Sequence, residues 1–363
     1  MTVPWGRCLL PGTAVALAGL LSWWGGVVAD NVPSSLRRLV PPEFGRVEEA
    51  KEPASGVPQR YEFVSPHMGT LWKLIFHEGS PERAQEIRAA VRERLKEIDE
   101  RLTDYRQQSE LNRFCDEGRA DTPSGDLLAV LADSLEVARA TGGAFDPTVS
   151  PLTRLWRASR KAGHLPDPAA VAEARKSVGF DSVVIENGRL RLKRPGTRLD
   201  VGGIAKGYAQ DEVAKIMVDR FGVTGFLIDA GGAVLAGGPP PGRDGWVVGI
   251  QGVPGEPGSP PIFLRKGALS TAGDANQALE IDGTRYSHIV DPQTGMGLTN
   301  GLQVSVVASS GSMSDALDTA FCVMGLEKTK AFVVRHPTLA VRAVEVGPGG
   351  TPAVWTSPAW PQR

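Results

Sequence analysis

Four short stretches place polar side chains and glycines where they can do chemistry. In S-S-G-S-M-S-D-A-L-D-T-A-F-C-V-M-G, residues 309 to 325, Asp315 and Asp318 stand three apart and Thr319 stands four from Asp315. On a helix starting near Ser312 or Ser314 and ended by Gly325 these oxygens share one face of the first turns, while Leu317, Phe321 and Met324 occupy another. Oxygen ligands without His or Cys favour a hard cation such as Mg²⁺, which takes one or two carboxylates and keeps positions for water and phosphate oxygens. The plainer alternative is that acids near a helix start complement its dipole.

A second stretch, D-V-G-G-I-A-K-G-Y-A-Q-D from Asp200, has glycines and a lysine in an order reminiscent of a phosphate loop. It is not a Walker loop, because Lys206 precedes Gly207, and no G-x-G-x-x-G is present. Gly202 and Gly203 allow a tight turn into a helix whose free N–H groups suit a phosphate, with Lys206 adding a full charge in the first turn. A solvated lysine on an ordinary strand-to-helix turn is the alternative. In R-Y-S-H-I-V-D-P-Q-T-G-M-G, His288 sits at a strand end before an Asp291–Pro292–Gly295 turn, as a catalyst or as a hydrogen-bonded structural residue. In T-G-G-A-F-D-P-T-V-S-P-L, Gly142 and Gly143 end a helix and Ala144, Phe145 and Asp146 lead into a turn at Pro147.

These stretches need a scaffold, and the pattern supplies one of mixed α and β type. Y-E-F-V-S-P-H-M-G-T-L-W-K-L-I-F reads as a strand pair starting near Tyr61. Ile87, Val91, Leu95, Ile98 and Leu102 recur at helical spacing, and a second helix follows Ser124 as N-cap. A helix near Ala169 to Ser177, a hairpin turned at Asn187 and Gly188, a helix from about Gly203 to Phe221, and strands in G-F-L-I-D-A-G and W-V-V-G-I-Q come next. Q-G-V-P-G-E-P-G-S-P-P is a surface loop by composition, and no repeat or internal linker divides the chain.

The balance of 40 basic against 41 acidic residues, net charge -1, with no basic run, does not indicate a nucleic-acid surface, so any anion must be held locally. Residues 1 to 29 read as an export signal, with Arg7 before the apolar run from Cys8 to Ala29 and a cut at Asp30. The run is also long enough for an uncleaved membrane anchor. The expected location is therefore exported, in the periplasm, either soluble or held at the inner membrane. Residues 30 to 60, rich in proline and charge, read as a linker, leaving 61 to 363 as one domain. Cys8 directly follows Arg7 and is a poor lipid-attachment site, while Cys115 and Cys322 have neither disulfide nor metal spacing and read as buried thiols.

Taken in order, H-M-G-T (67 to 70), D-Y-R-Q-Q-S-E-L-N-R-F, G-G-A-F-D-P-T-V-S-P-L, D-V-G-G-I-A-K-G-Y-A-Q-D, L-I-D-A-G-G-A-V-L-A-G-G, A-L-S-T-A-G-D, Y-S-H-I-V-D-P-Q-T-G and S-D-A-L-D-T-A-F-C-V-M-G resemble the ApbE-type FAD:protein FMN transferases over roughly residues 60 to 345. The resemblance implies a single α+β, T-fold-related domain of mixed sheets and packed helices. It also implies an enzyme that moves FMN from FAD to a threonine or serine of another protein, with Mg²⁺, releasing AMP. It places Asp315, Asp318 and Thr319 with an oxygen from the Gly203 region on the metal. Met68, Tyr105, Ala144, Phe145, Asp146, Asp200, Lys206 and Ile289 fall at its flavin-nucleotide contacts, with His288 as general base and Asp291 as the next candidate. The implied acceptor carries a short Thr-containing motif that this chain lacks, often on a subunit of a membrane electron-transfer complex. A FAD pyrophosphatase and a non-catalytic flavin binder are the alternatives. Thr271-Ala272-Gly273-Asp274-Ala275 departs from the family's T-S-G-[DN]-[YF].

Overall fold

The computed structural model describes residues 43–44, 58–253, 256, 259–273, 278–347 and 350–361. The expected signal (1 to 29), most of the linker (30 to 60), and Asp274 and Ala275 of the family departure lie outside the described residues. Residues Arg38–Arg363 form one compact unit. Its centre is an antiparallel sheet built from β1 (Glu43–Phe44), β2 (Gln59–His67), β3 (Thr70–Glu78), and later strands of the chain. Glu43–Phe44, within the expected linker, pairs with Lys266 and Leu264 with a register shift between the two residues.

Helices α1 (Pro81–Leu102), α2 (Glu110–Glu117), α3 (Gly125–Ala140), α4 (Ser150–Ala162) and α5 (Pro168–Arg175) follow, with the short β4 (Arg119–Ala120) between α2 and α3. Ser80 caps α1 by accepting from Arg83 N at 3.2 Å, and Ser124 caps α3 by accepting from Leu127 N at 3.2 Å. The stripe Ile87, Val91, Leu95, Ile98, Leu102 is buried, as its spacing requires. The hairpin β5 (Val183–Glu186) to β6 (Arg189–Leu192) turns at Asn187 and Gly188, both at positive φ (50° and 73°), and pairs with β4 in a small sheet.

The rest of the chain completes the sheet and its cover. In order come α6 (Ala205–Lys215), β7 (Phe226–Ala230), β8 (Ala233–Ala236), β9 (Trp246–Val248), β10 (Ile262–Ala272), the hairpin β11 (Ala278–Ile281) and β12 (Thr284–Ser287), β13 (Leu302–Ala308), α7 (Gly311–Arg335), β14 (Ala340–Val346) and β15 (Pro352–Thr356). The strand order is β15-β14-β13-β10-β8-β7-β3-β2. Strand β10 changes partners along its length: Ile262 to Leu264 pair with β9, and Gly267 to Ala272 pair with β8 and β13. The change falls at Gly267, whose φ of 121° is open to glycine and strained for other residues. Helices α1, α6 and α7 cover one face. Behind β8, β10 and β13 a second apolar cluster gathers Val234, Leu264, Leu269, Val307 and Trp360, so β13 is buried along its whole length.

Three local expectations are corrected. Gly325 breaks the last helix (φ 77°, ψ 167°), but the chain re-enters helix and continues to Arg335 instead of stopping. The segment after Pro147 is not only a turn, because Ser150 opens α4. In the loop expected at the surface, Glu256 turns inward to an ion pair with Arg342, both side chains nearly fully buried.

Candidate active site

A cavity of about 400 Å³ opens where the ends of β8, β10 and β13 meet α4, α6 and α7. Its lining includes Lys206 and the 200–203 turn, Asp315, Asp318, Thr319 and Val323 on α7, and Ser270 to Gly273 at the end of β10. The 144–146 and 288–290 segments, with Tyr105 and α4 residues Thr153, Arg157 and Arg160, complete it. Of the residues singled out in the sequence, Tyr105, Ala144, Phe145, Asp146, Asp200, Gly203, Lys206, His288, Ile289, Asp315, Asp318 and Thr319 all line this space. Met68 and Asp291 do not.

The two carboxylates of α7 are almost fully buried, at 3% and 2% exposure for Asp315 and Asp318. Asp315 Oδ1 accepts from Lys206 Nζ at 3.2 Å and from Ser270 Oγ at 3.5 Å, and its Oδ2 accepts from Gly207 N at 3.1 Å. Asp318 Oδ1 accepts from Thr319 Oγ1 at 3.2 Å, and the Ser270 hydroxyl is near enough to lower its carboxyl. The oxygens therefore converge around Ser270, a residue the sequence reading did not single out. Burial first, and then the charge of Asp315, pushes the Asp318 carboxyl well above the usual carboxylate range. Asp315 beside it raises the Lys206 ammonium, against the opposing effect of burial.

The turn before α6 is held by Asp200. Its Oδ1 accepts from Gly202 N at 2.9 Å, closing a local Asx turn, and its Oδ2 accepts from Thr153 Oγ1 at 2.8 Å and Arg157 Nη2 at 3.1 Å. Arg157 reaches further: it ion-pairs Asp104, and its guanidinium lies 4.8 Å from the centre of the Tyr105 ring. Tyr105 is 80% exposed, so a planar ligand has access to its ring. Gly203 packs against Thr319 and Phe145. A Cβ there would lie 3.2 Å from Thr319 Oγ1 and from the Phe145 ring.

Two acids are committed elsewhere. Asp146 borders the cavity and accepts from Thr148 N and Oγ1 (2.8 and 2.6 Å) and from Phe180 N (2.9 Å), so its carboxylate braces the turn after α3. Burial, against these hydrogen bonds, raises its carboxyl. Asp291 accepts from Gln293 N at 2.8 Å and Thr294 Oγ1 at 3.0 Å, which makes it the organiser of its own turn. Met68 sits at positive φ in the β2–β3 turn, two residues before Thr70, which abuts Gly231 of the cavity lining.

The profile of the ApbE family matches residues 68–343. This chain belongs to the ApbE family. It is 29% identical over 322 residues to the FAD:protein FMN transferase of Salmonella typhimurium and 31% identical over 324 residues to that of Klebsiella pneumoniae, covering 86% of this chain and 91% of the relative in each case. Among solved structures, the flavinyl transferase ApbE of Pseudomonas stutzeri in its apo form superposes with a TM-score of 0.75 at 26% identity, covering 84% of this chain and 97% of the other. The ApbE protein of Thermotoga maritima gives 0.73 at 30% identity, covering 83% and 97%. The α+β fold expected from the sequence is the ApbE fold.

Within this ApbE-family site, among the described residues, no group of three or more His, Cys, Asp or Glu has metal-binding geometry. The donor set that does converge is two carboxylates and the hydroxyls of Thr319 and Ser270, which fits a hard cation and not a thiophilic one. The Lys206 ammonium already bridges Asp315 and the Gly202 carbonyl (3.4 Å), so these oxygens are arranged to receive positive charge. Arg157 and Thr153 escaped the sequence reading. The available signal was their spacing of four on a helix that the Ser150-Pro151 start could have announced.

Proposed function

We propose that this ApbE-family transferase uses FAD as donor and attaches its FMN part to a threonine or serine hydroxyl of an acceptor protein, releasing AMP with the help of Mg²⁺. The observation that carries the reading is the single cavity in which Lys206, the buried Asp315–Asp318 pair, His288 and the accessible ring of Tyr105 all meet. Asp315, Asp318 and Thr319, with an oxygen from the Gly203 turn, would hold Mg²⁺. The ion would neutralise charge building on the pyrophosphate.

The chain's own residues supply the rest. Tyr105, with Arg157 against its ring, offers a stacking surface to the isoalloxazine, and Ala144, Phe145 and Ile289 form apolar wall. Asp200 keeps the Gly202–Gly203 turn closed so that Lys206 faces the phosphates, and the raised ammonium stays charged at neutral pH. His288 accepts the proton of the incoming hydroxyl as that oxygen bonds the FMN phosphorus. The bridging P–O bond then breaks, and its oxygen leaves on AMP. Positioning and fixed charge carry most of such a reaction, because the pyrophosphate needs little covalent help.

The apolar run from Cys8 to Ala29 behind Arg7 supports export to the periplasm, soluble after cleavage or anchored at the inner membrane. The acceptor would face the same compartment, as a subunit of a membrane electron-transfer complex does. Incubation of purified protein with FAD and Mg²⁺, with and without a Thr-bearing acceptor, tests the proposal. AMP formed only with acceptor, together with covalently flavinylated acceptor, is expected. AMP formed equally without acceptor would identify a pyrophosphatase, and no AMP in either arm a flavin binder.

A further inference from the structure

Helices α6 and α7 carry opposite halves of the charged site, Lys206 on one and Asp315, Asp318 and Thr319 on the other, and each helix caps the other's first turn. The Gly207 N–H, near the start of α6, donates to Asp315 Oδ2 of α7 at 3.1 Å. Asp211, one turn further along α6, accepts from Gly311 N at 2.7 Å through Oδ1 and from Ser312 N at 2.9 Å through Oδ2. Ser312 Oγ adds a third bond to Asp211 Oδ2 at 2.7 Å. Between these contacts the helices meet backbone to backbone, since a Cβ on Gly207 would lie 2.1 Å from Gly311 O. The first turn of α6 has no capping side chain of its own.

The result is a closed ring of contacts from Asp211 to the start of α7, along α7 to Asp315, and back through Gly207 to α6. Asp211 does not line the cavity, so nothing in the reaction touches it. Its bonds are of the strong, charge-assisted kind, and they satisfy N–H groups that a helix start leaves without intrahelical partners. With Gly207 and Gly311 in backbone contact, no flexible side chain is available to absorb a shift of one helix along the other.

We propose that Asp211 is a positioning residue that sets the register of α7 on α6, and through it the placement of Asp315 and Asp318 against Lys206. This inference rests on the proposed Mg²⁺ site, because its consequence is read as metal affinity. Supports of metal ligands that act without touching the ion change affinity by about 10- to 100-fold when removed. Asp211→Asn keeps the size of the side chain but turns an NH₂ toward one of the two backbone N–H groups, so one bond becomes a repulsion. Ser312→Ala removes only the hydroxyl bond and leaves both backbone bonds in place.

The test is Mn²⁺ binding to the flavin-free chain by electron paramagnetic resonance, beside flavin-fluorescence measurement of FAD affinity without metal, thermal melting, and the Mg²⁺ dependence of transfer. Asp211→Asn is expected to weaken Mn²⁺ binding about tenfold or more, to leave metal-free FAD affinity within about twofold, and to recover most of its transfer rate at raised Mg²⁺. Ser312→Ala is expected to move Mn²⁺ affinity in the same direction by about two- to threefold, which keeps the test decisive if Asp211→Asn does not fold. Variants that melt lower yet bind Mn²⁺ as the wild type does would show an ordinary helix cap and overturn the inference. Transfer lost and not rescued by Mg²⁺ would overturn it too. A wild-type chain that binds no Mn²⁺ would instead overturn the metal reading, and this inference with it.

Discussion

The substitution Gly207→Ala separates local helix preference from the geometry of the site. Gly207 lies inside α6 at ordinary helical φ, so intrinsic propensity alone predicts that alanine stabilises the chain by about 1 kcal/mol. The crossing predicts the opposite. The new Cβ would lie 2.1 Å from Gly311 O, 2.3 Å from Gly311 C and 2.7 Å from Ser312 N, all of them backbone atoms that cannot rotate away. To reach van der Waals distance the helices must part by more than about an ångström, and overpacking of this kind costs about 1–3 kcal/mol. Parting them also stretches the bonds of Asp211 to Gly311 and Ser312 and of Gly207 to Asp315, which involve charged groups worth about 1.5–3 kcal/mol each. The net expectation is a loss of about 3 kcal/mol, or roughly 4–6 °C in melting temperature for a domain of this size. Because Lys206 and Asp315 move apart with the helices, FMN transfer should fall about 10²-fold. Thermal melting and in-gel flavin fluorescence of an acceptor measure both effects. Gly311→Ala, whose Cβ would lie 2.3 Å from Gly207 O, should behave alike. A Gly207→Ala protein that melts at or above the wild type, or transfers within about threefold of it, would refute the argument.

Other expectations follow from the same packing. Tyr208→Phe removes a buried hydroxyl that donates to Asp126 Oδ1 at 2.7 Å and should cost about 1–2 kcal/mol of stability by chemical denaturation, with FAD affinity unchanged. Asp126 itself is raised by burial but lowered further by bonds from Arg94, Tyr208 and Arg101, to about 2. A lowered carboxylate contributes stability above its unfolded value that is lost as pH falls, so about 2 kcal/mol should disappear between roughly pH 4 and pH 2 in acid-unfolding curves. The raised Asp318 has the opposite sign: its contribution is complete below the ordinary carboxylate value and is lost as pH rises through the higher one. A cation offsets that loss, so the gain in melting temperature on adding Mg²⁺ should be larger at about pH 8 than at about pH 5, and equal gains would contradict it. His288→Ala should leave FAD affinity within a few fold and lower transfer by about 10² or more. Affinity falling in step with rate would assign His288 to structure.

Much of the scaffold was readable because its signals are local. Ser80 and Ser124 cap helices three residues ahead, and Asn187-Gly188 adopts the positive φ values that its hairpin requires. The acidic face of α7 was readable from spacing alone, although the hydroxyl that reaches it from β10, Ser270, is announced by no nearby residue. Helix α4 was missed because its face toward the cavity carries Thr153, Arg157 and Arg160, polar residues that break the apolar pattern by which a helix is usually seen. Their partners, Asp200 and Asp104, are distant in sequence, so only the fold reveals why a half-buried arginine stands there. Asp211 and Asp315 are equally hidden: each reads as an ordinary acid on its own helix, and each spends a carboxylate oxygen on the other helix. Gly325 misled in the other direction, since its positive φ breaks the helix without ending it.

The central claim is that the buried carboxylates of α7 are kept for chemistry at a cost to the empty fold, and Asp318→Asn tests it most directly. The change is nearly isosteric and removes a charge that burial and Asp315 both disfavour, at a side chain whose residue is only 2% exposed. The metal-free variant should therefore melt at or above the wild-type temperature, bind FAD without metal as tightly as the wild type, bind Mn²⁺ at least about tenfold more weakly, and transfer FMN about 10²-fold more slowly or worse. Transfer at near wild-type rate, or activity lost only in proportion to stability, would contradict the account.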